Sequence, residues 1–158
     1  MDSASRKNLI IGIGNEFRGD DAVGIVVALK LHERGIPAYE IIAYSGEGSG
    51  LVTIWKDAEK VIVIDAAFSG AEPGTIFRFE AGKDLIPVKL FKGYSTHAIG
   101  LAEAIELSTT LDTLPRKLII YGIEGKLYET GSGLSPEISQ GADKIIARII
   151  EEISELSE

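Results

Sequence analysis

The sequence predicts a three-layer α/β sandwich in which a mostly parallel, five-stranded sheet is flanked by helices. Strand-like and helix-like patterns alternate through most of the chain, which is typical of βα units. The run Val61 to Ile64 is continuously β-branched, as expected for a central parallel strand that is covered on both faces. A tight glycine turn directly after the first apolar run leads into the first helix.

Apolar periodicity and turn residues predict each element in order. We expect strands at about 8–13, 39–44, 61–64, 74–79 and 118–123, and helices at 21–34, 51–56, 97–107 and from Ser135-Pro136 to the end. The first helix is apolar nearly all round and should be well buried, and Gly35 to Pro37 ends it. Ser135 and Pro136 form a good cap and first-turn pair for the last helix.

The composition is that of an ordinary globular chain, and it excludes several classes of function. The 158 residues have no cysteine and a net charge of −8, with 45% hydrophobic residues. A single domain over residues 1–158 is expected at this length. Nucleic acid is an unsuitable partner for so acidic a chain, and a disulfide, a thiolate metal site and a cysteine nucleophile are excluded. No signal peptide or membrane span is predicted, so we expect a cytoplasmic protein; the oligomeric state stays open.

The turn after the first strand is the most informative segment of the chain. A glycine turn at the start of a helix usually holds phosphate, because the helix offers free N–H groups there. Here the turn contains Glu16, Asp20 and Asp21, which would repel phosphate and attract a cation. Phe17 occupies the position of the third glycine of a dinucleotide fingerprint. The turn therefore predicts a metal or another cationic ligand.

Further candidate ligands should meet this turn at the carboxyl edge of the sheet. Ligands of open α/β sheets bind at that edge. Asp20 and Asp21 follow the first strand, Asp65 ends a central strand, and His97 is predicted to open a helix, whose positive end would keep the imidazole neutral. Carboxylates and an imidazole suit nickel, zinc, iron or manganese, and three protein ligands leave positions open for a substrate.

Each of these residues also has a purely structural interpretation. Asp20 or Asp21 could be the N-cap of the first helix, where one cap suffices. Asp65 could cap a turn after its strand, and His97 could be an ordinary residue of a first helical turn. Glu124 also ends a strand, where a place at the edge of the site and a role in a loop are equally compatible with the sequence.

Four motifs in the right order resemble the maturation endopeptidases of nickel–iron (NiFe) hydrogenases. They are GIGNEFRGDDAVG at 12–24, VIDA at 63–66 followed by PGT at 73–75, STHAIGL at 95–101, and GIE at 122–124 followed by GLSP at 133–136. Together they span nearly the whole chain.

The resemblance implies an activity, a substrate and a set of site residues. Members of this family remove a short C-terminal extension from the precursor of the hydrogenase large subunit after nickel is in place. The resemblance implies that Asp21, Asp65 and His97 act as the catalytic and metal-sensing residues. It further implies that nickel is carried by the substrate and that the protease needs no cofactor of its own.

This sequence departs from the family pattern at two positions. The family often has glutamate where this chain has Asp21, which is shorter by one methylene. The glycine-rich loop at 45–50 usually begins with aspartate, whereas this chain has Ser45, and we interpret that loop as a flexible turn. Two other functions stay open on the same fold: a non-catalytic nickel-binding or chaperone-like module, and a hydrolase of small molecules.

Overall fold

A sheet of five strands forms the middle layer of the fold. The structure is a computed structural model and describes residues 6–45, 48–87, 89–91 and 100–156. In these ranges the strands are β1 (Asn8–Ile13), β2 (Glu40–Tyr44), β3 (Lys60–Ala67), β4 (Ile76–Glu80) and β5 (Lys117–Glu124). The helices are α1 (Val23–Arg34), α2 (Gly48–Trp55), α3 (Leu101–Thr110) and α4 (Pro136–Leu156), and a 3-10 turn at Gly19–Ala22 precedes α1.

The sheet has the order β2-β1-β3-β5-β4. The first four strands in this order are parallel, and β4 runs antiparallel to β5 at one edge. The prediction of a mostly parallel, five-stranded sheet flanked by helices is confirmed. Since β1, β3 and β5 lie side by side, their carboxyl ends meet at one edge of the sheet.

Two apolar cores, one on each face of the sheet, make the three layers. Alternate residues of β1 point to opposite faces, so Ile10 joins α1 and α4 in one core while Ile11 joins α2 and α3 in the other. In the second core the indole Nε1 of Trp55 donates a 2.8 Å hydrogen bond to Ser108 Oγ, which links α2 to α3. None of the helices described is long and apolar enough to cross a membrane.

The structure corrects the predicted bounds of two elements near the candidate site. The first α-helix begins at Val23 rather than Asp21, because residues 19–22 form a 3-10 turn. Strand β3 continues to Ala67, so Asp65 lies inside the strand and pairs with Gly122 of β5. The structural interpretation of Asp65 as the cap of a turn after its strand is therefore wrong.

Two further corrections concern helix starts. Helix α2 begins at Gly48, so the end of the predicted glycine-rich turn is helical. Helix α3 begins at Leu101 after the extended N-cap Gly100, rather than at His97. The argument for a neutral His97 assumed that this helix starts at His97, and the observed start at Leu101 does not supply that position. His97 itself lies outside the described residues.

Two glycines let α1 lie directly on the sheet, and we expect Gly24→Ala to destabilise the protein. A Cβ atom on Gly24 would lie 2.5 Å from the carbonyl oxygen of Ile64 and also collide with the carbonyl oxygen of Ile13. A Cβ on Gly12 would collide with the carbonyl oxygen of Gly24. Alanine gains about 1 kcal/mol of helix propensity over glycine. Overpacking costs about 1–3 kcal/mol or more and should outweigh that gain.

Thermal melting checks this expectation. Gly24→Ala should lower the melting temperature, whereas Leu29→Ala, on the exposed side of the same helix, should change it little. An unchanged melting temperature for Gly24→Ala would show that α1 can move away from the sheet at little cost.

Candidate active site

Three acidic residues lie at the carboxyl edge of the sheet, as the sequence predicts. Asp21 belongs to the link between β1 and α1 (residues 14–22), which we call the acidic turn. Asp65 lies near the end of β3, and Glu124 is the last residue of β5. Asp65 is only 7% exposed and Glu124 only 6%. The edge thus combines negative charge with burial.

Asp21 and Asp65 form an interacting pair of carboxylates. Burial raises the pKa of Asp65 well above its ordinary value, and the negative charge of Asp21 raises it further. The backbone N–H of Ala66 donates a 2.8 Å hydrogen bond to Asp65 Oδ1 and offsets part of this effect. Two like charges that interact in a poorly solvated place favour either a proton on one of them or a bound cation.

The Asp21 carboxyl group is half-buried, and the groups around it shift its pKa in opposite directions. Burial raises its pKa, while the Arg18 guanidinium and the backbone N–H of Asn15 lower it; the net direction is upward. Asp21 lies in the 3-10 turn but does not cap a helix: Arg18 is the N-cap of that turn and Ala22 is the N-cap of α1, both without a side-chain cap bond. The capping interpretation of Asp21 is therefore wrong.

Asp20 is fully buried and organises a distant loop instead of capping the first helix. Its carboxylate accepts hydrogen bonds from the backbone N–H groups of Lys126 and Leu127, each at 2.8 Å, and from the N–H and hydroxyl of Ser135, each at 2.7 Å. These donors lie in the β5–α4 loop (residues 125–135). The structure thus separates the two neighbouring aspartates: Asp20 is saturated with hydrogen bonds to the loop, whereas the charge of Asp21 acts on Asp65.

Glu124 lies at the edge of the site and also supports a loop, so its two interpretations are compatible with each other. Its carboxylate accepts hydrogen bonds from the N–H and hydroxyl of Ser69, the shorter at 2.6 Å, and from the N–H of Gly70 at 3.2 Å. These contacts hold the segment that follows β3 against the end of β5. The Glu124 carboxylate therefore holds this loop at the edge of the site.

Sequence reasoning missed Tyr128, which the β5–α4 loop places at the same edge. Its hydroxyl donates to the carbonyl oxygen of Ala67 at 3.4 Å, and its ring packs on Phe68 with centroids 4.7 Å apart. Burial raises the pKa of Tyr128, and the charges of Glu124, Asp20 and Asp21 raise it further. No spacing in the sequence indicates this position, because only the docking of the loop brings the ring to the site.

Of the two histidines, His32 is among the residues that the structure describes. His32 lies in the last turn of α1, where a cation suits the helix dipole, and it is exposed. His97, the predicted third member of the site, is outside the described residues. Among the residues that the structure does describe, no group of three or more His, Cys, Asp and Glu could hold a metal. The geometry therefore brings together Asp21 and Asp65, and the place of His97 stays a prediction.

Comparison with solved structures defines the class of this α/β fold. The hydrogenase maturating endopeptidase HybD from Escherichia coli is similar, with a TM-score of 0.79 and 23% identity over 94% of this chain and 93% of that one. The likeness shows that this chain has the same α/β sandwich fold as that structure.

Sequence comparison gives the family. A model described as hydrogenase maturation protease matches residues 25–152, and the chain belongs to that family. A candidate hydrogenase maturation protease of Methanocaldococcus jannaschii is 30% identical over 92% of this chain and 95% of its own length. The hydrogenase 2 maturation protease of Escherichia coli is 25% identical over 93% and 90%. The protein is thus a peptide hydrolase, as the four sequence motifs predict.

Proposed function

We propose that this enzyme removes the C-terminal extension of the large-subunit precursor of a nickel–iron hydrogenase after nickel insertion. In this proposal Asp21, Asp65 and His97 contact the nickel ion that the precursor carries. The nickel is part of the substrate, and the protease brings no cofactor of its own. The membership of the chain in the hydrogenase maturation proteases supports the choice of substrate.

The placement of Asp21 and the buried Asp65 at the same edge of the sheet is the observation that carries this proposal. The pKa of Asp65 is raised both by burial and by the charge of Asp21, so the second negative charge is unfavourable while no cation is near. A divalent cation at this edge relieves the repulsion and favours the charged form of Asp65. A precursor without nickel leaves the repulsion in place. The site thereby distinguishes loaded from unloaded precursor.

The chemistry assigned to the site is hydrolysis of one peptide bond by water. A metal beside the scissile bond can polarise a carbonyl or activate water. The residues of this chain hold the ion in place and set the local charge. Because the metal of the substrate activates the water or the carbonyl in this proposal, the protease needs no cysteine nucleophile, and this chain contains no cysteine.

The decisive experiment compares nickel-loaded and nickel-free precursor. The purified protease is incubated with each, and the mass of the precursor is measured. We expect loss of the C-terminal extension only from the loaded precursor. Efficient cleavage of the nickel-free precursor would refute nickel sensing. An unchanged mass with both would refute the protease assignment and favour a non-catalytic nickel-binding module.

The same assay tests His97. We expect His97→Ala to abolish cleavage of the loaded precursor, because the proposal makes its imidazole a nickel ligand. His32→Ala is the matched control, since His32 is the other histidine and lies at the far end of α1. Normal processing by His97→Ala would show that this histidine has no part in the reaction.

A further inference from the structure

We propose that Asp20 is a positioning residue that holds Asp21 in place by fastening the acidic turn to the β5–α4 loop. The inference rests on the proposed role of Asp21 in sensing the substrate's nickel. Asp20 and Asp21 are neighbours in a turn where the sequence makes them look interchangeable. Their surroundings in the fold are entirely different.

Five hydrogen bonds connect Asp20 to a segment more than 100 residues away in the chain. Its carboxylate accepts four, from Lys126, Leu127 and twice from Ser135. The fifth runs the other way, from the backbone N–H of Asp20 to the carbonyl oxygen of Leu127 at 2.7 Å. The same turn and loop are joined once more by the N–H of Gly131, which donates to the carbonyl oxygen of Phe17 at 2.9 Å.

The pattern of donors requires a carboxylate at this position. Asp20 is 0% exposed, so water cannot replace a lost partner. Its Oδ1 accepts from Ser135 N–H, and its Oδ2 accepts from Lys126 N–H, Leu127 N–H and the Ser135 hydroxyl. An asparagine has one oxygen and one NH₂ group, and the NH₂ group would face an N–H donor in either orientation. Asparagine would cap a helix as well as aspartate does, but it cannot fill this position.

The geometry of the turn transmits this anchoring to Asp21. The N–H of Asn15 donates to the backbone carbonyl of Asp21 at 3.3 Å, and the N–H of Asp21 donates to the carbonyl of Arg18 at 3.0 Å. A Cβ on Gly19 would collide with the carbonyl oxygen of Leu127, so the turn lies directly against the loop. With Asp20 anchored on one side, the backbone that carries Asp21 is held at the edge of the sheet where Asp65 also lies. A misplacement of about 1 Å at such a site can cost roughly 100-fold in rate.

Asp20→Asn tests the inference in two ways. With nickel-loaded precursor we expect kcat to fall by roughly 100-fold and KM to change little, since the variant keeps the surface but misplaces Asp21. Native-state amide exchange should become at least about tenfold faster at Leu127, at Ser135 and at Asn15. Exchange at Asn15 is the readout that a purely structural role in the distant loop would not change.

The controls separate folding, charge and position. Glu129→Gln removes the same charge from an exposed place in the same loop and should behave as the unaltered protein does. Ser135→Ala removes one of the four donors and keeps the Asp20 carboxylate. We therefore expect a smaller fall in kcat and a smaller increase in amide exchange than in Asp20→Asn. This variant also decides the question if Asp20→Asn does not fold.

The outcomes distinguish this inference from the proposed function. If kcat of Asp20→Asn is unchanged, or if exchange quickens in the loop but not at Asn15, Asp20 does not position Asp21 and the inference is wrong. If the unaltered protein cleaves no precursor, the proposed function is wrong, and amide exchange at Asn15 alone decides whether Asp20 holds the acidic turn.

Discussion

Asp65→Asn is expected to abolish cleavage of the nickel-loaded precursor and, at the same time, to raise the melting temperature at neutral pH. The loss of activity follows because the proposed site needs the negative charge of Asp65 to hold the substrate's ion. The gain in stability follows because that charge is unfavourable in the folded protein, where burial and Asp21 raise the pKa of Asp65. An amide oxygen in place of Oδ1 can still accept the hydrogen bond from Ala66.

The stability effect has a defined dependence on pH. A carboxyl group whose pKa is higher in the folded than in the unfolded state costs stability once it is charged. The full stability is present below the unfolded pKa of about 3.9 and is lost as the pH rises through the folded pKa. The advantage of Asp65→Asn should therefore be greatest at neutral pH and vanish in acid. Each kcal/mol corresponds to roughly 2–4 °C in a domain of this size.

Melting curves of the variant and the unaltered protein at several pH values provide the measurement. Asp143→Asn is a suitable control, because its ion pair with Lys30, at 3.3 Å, is exposed and should contribute little. A lower melting temperature for Asp65→Asn at neutral pH would show that the charged form of Asp65 is stabilised in the fold. Together with an unchanged rate of cleavage, it would remove Asp65 from the site.

The layers of the fold could be predicted from the sequence because local patterns determine them. The apolar run of β3 and the alternation of strands and helices are visible without any tertiary contact. The bounds were less predictable near the site. The apolar run of β3 stops at Ile64, but the strand continues to Ala67 because β5 pairs with it that far. Hydrogen bonding to a neighbouring strand leaves no mark in local composition.

The candidate site, like the fold, could be predicted only in part from the sequence. The carboxyl ends of all parallel strands lie at the same edge of a sheet, so Asp21 and Asp65 could be predicted to lie at that edge. The different roles of Asp20 and Asp21 could not, because the partners of Asp20 are 106–115 residues away. Tyr128 was missed for the same reason. Long-range docking of a loop, unlike strand order, has no periodic pattern from which to predict it.

Asp21→Asn is expected to reduce cleavage of the loaded precursor by roughly 100-fold or more, because it removes one of the charges proposed to hold the ion. Asp21→Glu should retain part of the activity, because it keeps the negative charge and because glutamate is common at this position in the family. Glu16→Gln removes a charge from an exposed position of the same turn and should change the rate little. This series separates the specific contact of Asp21 from the general negative charge of the turn.

The same variants test the coupling of the two carboxylates without any substrate. The charge of Asp21 is the second cause, after burial, of the raised pKa of Asp65. A titration of the Asp65 side-chain carboxyl, followed by ¹³C NMR, should therefore give a lower pKa in Asp21→Asn than in the unaltered protein. In Asp21→Glu the pKa should stay raised. An unchanged titration in Asp21→Asn would mean that the two groups do not interact, and the substrate's nickel would then have no pair of carboxylates to bind.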